Sequence, residues 1–165
     1  MKLKYISWLP AAIIMVLIFL FSSKPAVSSN ATSLPIANSV LTAYESVTNT
    51  HYEAAKRDAI LENINYAVRK GAHFSEYALL ACALAFHLLV AGANRKWLIL
   101  CPIIICALYA TTDEYHQTFV PGRSGRITDA MIDTTGAATG AVLFFFLVAM
   151  HILNNRKKAS ITTLP

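Results

Sequence analysis

The sequence predicts an all-α polytopic membrane protein, a bundle of about four transmembrane helices, and three observations carry that reading. Its 165 residues are 56% hydrophobic, with a mean hydropathy of +0.50, well above the ordinary range of a soluble chain this short. The apolar residues fall in four long blocks, 5–21, 77–93, 97–111 and 137–153, nearly free of charge. The basic residues flank those blocks, which suits retention and orientation at a membrane. A spanning helix needs roughly 20 residues at about 1.5 Å rise each. Extended a few residues into the headgroup zone, the blocks give spans at about 5–22, 72–93, 97–116 and 127–153. Residues 1–158 then form a single integral membrane domain, and 159–165 a short C-terminal tail.

The first span follows Lys2 and Lys4 and exits through Phe21, Ser22 and Ser23. It is longer than the roughly 7–15 residues of a signal-peptide apolar region, so an uncleaved anchor is expected. Next comes the only long polar segment, 22–67, opening with a Ser/Pro/Asn-rich stretch that reads as irregular loop. Val40, Leu41, Tyr44 and Val47, then Ile60, Leu61, Ile64 and Val68, recur at spacings of three and four with acidic residues between them. These predict short amphipathic helices in the first extracytoplasmic loop, lying on the bilayer or covering the mouth of the bundle. Cys82, Cys101 and Cys106 all fall inside spans without a paired spacing, and are read as inert core residues.

Orientation follows from charge. With the N-terminus inside, Lys2, Lys4, Arg95, Lys96, Arg156, Lys157 and Lys158 are cytoplasmic, against Lys24, Lys56 and Arg57 outside. Arg69, Lys70, Arg123 and Arg126 are set aside because they belong to the polar clusters below. Both termini are therefore expected in the cytoplasm. The net charge of +5 is explained by this distribution and points to no nucleic acid partner.

In an up-down bundle, three polar clusters share one face of the membrane. The second span opens with Arg69, Lys70, His73 and Glu76; the third closes with Asp113, Glu114, His116 and Gln117; the fourth opens with Asp129 and Asp133. Residues three or four apart are neighbours on a helix, so each cluster forms one polar face and the three can converge on a pocket. The connection 119–126 adds Arg123 and Arg126 around a Pro121-Gly122 pair suited to a type II turn. Gly125 permits close approach to a ligand, and the N-terminus of the fourth helix favours an anion such as phosphate. Lipid headgroups, Asp129 or Glu114 are the competing partners for these arginines. Gly136 and Gly140 form a small-xxx-small pair, expected to pack against another helix.

The runs Arg69-Lys-x-x-His-Phe-x-Glu-Tyr77, Asp113-Glu-x-His-Gln-x-Phe-Val-Pro-Gly-Arg123 and Asp129-x-x-x-Asp-x-x-Gly-x-x-x-Gly140 together resemble the VanZ-like family of bacterial membrane proteins. The resemblance runs from about residue 69 to 140, and the Phe21-Ser-Ser23 exit is also similar. That family is named for a member associated with resistance to teicoplanin. The resemblance implies a bacterial cytoplasmic membrane and a link to the cell envelope, but no reaction.

Three functions fit these residues. The protein binds an anionic amphiphile or lipid-linked envelope precursor at the outer face, held by Arg69, Lys70, Glu114, Gln117, Arg123 and Arg126. Alternatively it is a membrane-embedded enzyme in which His73 or His116 exchanges protons, oriented by Glu76, Asp113 or Asp129. A variant has a divalent metal on His73, Glu76, His116 and Asp129, although no compact metal motif or cofactor signature is present. In the third, the polar faces lock a structural partner protein that takes no ligand. No Ser or Cys has an adjacent base that marks a nucleophile.

Overall fold

The computed structural model describes the backbone of residues 2–162 and the side chains of 3–155. The basic side chains of Lys2, Arg156, Lys157 and Lys158, on which the expected orientation partly rests, lie outside the described side chains, as does the tail expected at 159–165. Among the described residues there are six helices and no strand: α1 (Lys2–Ile6), α2 (Leu9–Ser22), α3 (Ala26–Thr48), α4 (Ala54–Ala91), α5 (Trp97–Gln117) and α6 (Ile127–Thr162). Four segments are long and apolar enough to cross a membrane, namely α1 with α2, α4, α5 and α6.

Helices α1 and α2 are one span with a kink at Ser7 and Trp8. Pro10 sits in the first turn of α2, where its missing N–H costs nothing. The buried Ser7 hydroxyl lies 2.8 Å from Nδ1 of His87 on α4. Farther along, the Tyr109 hydroxyl of α5 donates to the Met15 carbonyl at 2.7 Å. Both bonds tie the first span into the bundle.

The segment after it departs from the expected irregular loop. Its Ser/Pro/Asn-rich stretch is the N-terminal half of α3, with Pro25 as the residue before the first turn. The hydroxyls of Thr32, Ser33, Ser39 and Thr48 donate back to carbonyls four residues earlier, so polar side chains that compete with a helix in isolation are satisfied within it. Asn49 ends α3 in the left-handed conformation. Ser33, Ala37 and Leu41 are its buried stripe.

The second expected loop helix is not separate. It is the start of α4, which runs unbroken for 38 residues, about 57 Å. A hydrocarbon core of about 30 Å holds little more than half of that. The N-terminal turns of α4 therefore stand beyond the apolar layer, paired antiparallel with α3. The span expected at 72–93 ends instead at Ala91, where Gly92 (φ +82°) and Ala93 donate to the carbonyls of Leu89 and Leu88.

Inside the bundle, Leu98, Pro102, Cys106, Ala110, Asp113 and Gln117 form the buried stripe of α5, each four or three residues from the last. Opposite it, α6 lies directly on α4. A Cβ on Gly136 would collide with the Phe74 carbonyl, and one on Gly140 with that of Ala78. The small-xxx-small pair thus brings two backbones into contact, and Cys82 Sγ donates to the Gly140 carbonyl at 3.3 Å. All three cysteines are free.

Candidate functional site

The polar middle of α4 and the polar ends of α5 and α6 meet on one side of the bundle, together with the exit of α2 and the start of α3. The buried stripe of α5 explains how. Its last turn continues the line of Cys106 and Ala110 as Asp113 and Gln117, so these polar residues are carried inward and must find partners. Gln117 Nε2 donates to Ser22 Oγ (2.8 Å) and to Asp113 Oδ2 (3.1 Å). Its Oε1 accepts from Arg123 Nη1 at 3.3 Å.

Arg123 is placed by a type II turn. Gly122 has φ +73°, which only glycine adopts without strain, and the Arg123 N–H closes the turn on the Val120 carbonyl at 3.1 Å. From there its Nε reaches the Lys24 carbonyl (2.9 Å) and its Nη2 the Phe21 carbonyl (3.3 Å). The guanidinium staples the α5–α6 connection to the exit of α2. Three of its five N–H groups are committed, all to neutral acceptors. The same connection packs onto α5. Gly125 approaches the Glu114 backbone so closely that a Cβ there would collide with the Glu114 carbonyl. The anion at the start of α6 is Glu114 itself, whose Oε2 accepts the Arg126 N–H at 2.8 Å.

These side chains enclose a cavity of about 190 Å³. Arg69, Lys70 and His73 come from α4, Glu114 and Gln117 from α5, Arg123 and Arg126 from the connection, and Asp129 from α6. Lys70 is ion-paired with Asp129. Arg69 Nη1 donates to Asn30 Oδ1 on α3 at 3.0 Å, again a neutral acceptor. Four basic side chains thus face two carboxylates, and neither Arg69 nor Arg123 has a carboxylate partner among the described residues. Burial first, and then the Arg69 guanidinium, press Arg123 below its usual value, against the opposing effect of Asp113, Glu114 and Glu76.

All six residues read from sequence as ligand-holding line this cavity. The five read as acid–base residues do not share it. His73 and Asp129 line it; Glu76 faces an adjoining trough, with Oε2 4.0 Å from His73 Nδ1. Asp113 is 4% exposed and bonded to Gln117, buried beside the wall and not in it. His116 leaves the cavity altogether and lies tilted against Phe19 of α2, ring centroids 4.9 Å apart. Spacing placed these residues on one face of their own helix, but on α5 the face of Asp113 and His116 turns toward Ser22 and Phe19 of α2 and not into the cavity. Among the described residues no three His, Cys, Asp or Glu are grouped to hold a metal ion, so the four-ligand metal arrangement is not formed.

Sequence reasoning missed the N-terminal half of α3. Its Asn30 holds Arg69, and the 8%-exposed Asn65 of α4 accepts from Ser33 at 2.6 Å and donates to Asn30 at 3.5 Å. Nothing in the local composition marked Asn30. Ser22 had a signal in the Phe21-Ser-Ser23 exit, whose second residue accepts from Gln117.

A family model described as VanZ/LLP1 matches residues 7–149, which takes in every helix end that builds the cavity. No curated protein and no solved structure matches the chain.

Proposed function

The chain belongs to the VanZ-like family, and on that premise we propose that it binds the anionic headgroup of a membrane amphiphile, or of a lipid-linked envelope precursor, in the cavity at the outer face. The membrane in this reading is the bacterial cytoplasmic membrane, with both termini inside, and the binding contributes to glycopeptide resistance of the teicoplanin type. One observation carries the proposal: Arg69 and Arg123 stand in the cavity wall with neutral acceptors only. A guanidinium grips phosphate or carboxylate through parallel N–H groups, and Arg69 retains more of these than Arg123.

Arg69 is therefore the residue to change. Lipids copurifying with the wild type should include an anionic species that is depleted at least about tenfold in Arg69→Gln, the loss of one charge-assisted contact. Survival under a teicoplanin-type drug should fall in parallel at unchanged membrane abundance. An identical lipid profile in the two proteins would sink the reading. Impermeant thiol labelling of single cysteines at Asn94 and Ser124 tests the orientation: only the second should react.

A second reading, acid–base catalysis, is favoured by one feature. His73 Nδ1 is buried without a hydrogen-bond partner, faces Glu76, and belongs to a side chain that lines the cavity. If the copurifying lipid is chemically altered over time by the wild type and not by His73→Gln, the protein turns it over.

A further inference from the structure

The cavity has a neighbour of opposite character. On the far side of Arg69, His73 and Arg123 lies a trough of about 220 Å³ between the end of α2, α3 and α4. Phe21, Ile36, Val68 and Ala72 give it apolar walls. Phe21 and Ile36 are 49% and 55% exposed, so the trough opens through apolar side chains. Arg69, His73 and Arg123 line both hollows.

Resting on the headgroup reading above, we infer that the two hollows hold one molecule: an anionic membrane lipid with its headgroup among Arg69, Lys70 and Arg126 and an apolar chain in the trough between Phe21, Ile36 and Ala72. Charge and shape each argue for a single guest. A purely apolar occupant of the trough leaves three cations at its wall, Lys24, Arg69 and Arg123, against the single carboxylate of Glu76. A small free anion in the cavity leaves an apolar trough beside it facing water.

The physics of a bilayer sets what the trough contributes. Lipid tails are as apolar as the trough, so moving a chain from one to the other gains little by itself. The trough acts by geometry. It lets a headgroup leave the interface for a polar cavity without drawing its own chain through the polar wall, where each wetted methylene costs roughly fourfold in affinity.

Two probes separate chain from headgroup. Butyl phosphate and dodecyl phosphate carry the same anionic group and are titrated against the full-length protein held in amphipol without added lipid. The wild type should hold dodecyl phosphate at least about tenfold more tightly, the worth of roughly two buried methylenes. Ala72 is an exposed residue of the trough wall, so Ala72→Trp fills the trough without entering the core. It should bring dodecyl phosphate to the butyl level and leave butyl phosphate unchanged. Ile36→Trp, on the opposite wall, should act alike, whereas Leu79→Trp, 61% exposed and absent from both hollows, should alter neither.

Equal affinity for the two phosphates in the wild type overturns the inference while the headgroup reading stands. So does a chain-length preference that survives both tryptophans. Failure of both phosphates to bind removes the headgroup reading and the inference with it. The wild-type comparison needs no variant, so a tryptophan that disturbs folding leaves the question decided.

Discussion

Helix α4 meets two neighbours in two different ways. Against α6 it packs backbone to backbone, with Gly136 and Gly140 set on the carbonyls of Phe74 and Ala78. Against α3, outside the apolar layer, it is held by side-chain hydrogen bonds: Asn65 with Ser33 and Asn30, Arg69 with Asn30, Arg57 with Glu45. The contrast follows from the solvent on each side. In lipid there is no hydrophobic force to bring helices together, so close approach of small residues must do it. Beyond the bilayer, α3 contributes only Ser33, Ala37 and Leu41 to a buried stripe, and polar bonds supply the rest. The first seam is rigid by shape; the second depends on single residues, and the candidate site lies where the two meet.

The largest effect is expected from breaking the glycine seam. Gly136→Leu must push α6 off α4, because the obstacle is the Phe74 backbone and not a side chain that can turn away. Overpacking of this kind should cost about 3 kcal/mol or more, seen as loss of monodisperse protein and a lower thermal midpoint in detergent. Gly71, on the partner helix α4, is the control, since a Cβ there meets nothing within 4 Å. Gly71→Ala should raise stability by about 1 kcal/mol through helix propensity alone. Equal behaviour of the two variants would mean that the α4–α6 contact is looser than described.

A smaller and more local effect is expected at the second seam. Asn65 is 8% exposed and bridges Ser33 to Asn30, which in turn holds Arg69. Asn65→Ala leaves the Ser33 hydroxyl without its side-chain acceptor and frees Asn30, at a cost of about 1–3 kcal/mol. The four spans do not depend on that bond. Hydrogen exchange should therefore speed up along 26–48 while α5 and α6 keep their protection, and retention of the anionic lipid should drop as Arg69 loses its anchor. Global unfolding in place of this local opening would join the two seams into one cooperative unit.

The same contrast governs what was legible in the sequence. The four spans, the shared polar face and the Gly136–Gly140 contact follow from apolar length and from spacing along a helix, both local properties. The type II turn at Pro121-Gly122 was legible because only glycine takes that φ easily. Direction across the bundle was not. Asp113 and His116 share a helical face, yet that face turns toward α2, where Gln117 beside Asp113 bonds to Ser22 and His116 lies against Phe19, and not into the cavity. Arg123 was recognisable as a cation over a turn, but its role as a staple depends on the carbonyls of Phe21 and Lys24, about a hundred residues away. The N-terminal half of helix α3 was hidden by its own composition, since Ser and Asn signal loops until a neighbour such as Asn65 gives their side chains something to hold.

The smallest effect is expected at the outer end of the second seam. Arg57 Nε donates to Glu45 Oε1 at 3.1 Å, and its Nη2 donates to Asn38 Oδ1 (3.0 Å) and Thr42 Oγ1 (3.2 Å). The geometry is better than that of most surface pairs, but the Arg57 side chain keeps 29% of its exposure, so water screens the pair and already satisfies much of both groups. Arg57→Gln should therefore cost only about 0.5–1 kcal/mol, within the range for a partly exposed ion pair. The position matters more than the size. Arg57 is three to four helical turns up α4 from Arg69, and none of its partners lines the cavity or the trough. Exchange should quicken in the C-terminal half of α3, around 38–48, and stay slow near Asn30. Lipid retention should match the wild type, in contrast to Asn65→Ala on the same seam. If Arg57→Gln also releases the anionic lipid, the hairpin of α3 and α4 acts on the cavity as a rigid lever, and the division of the seam into a functional and a purely structural half is wrong.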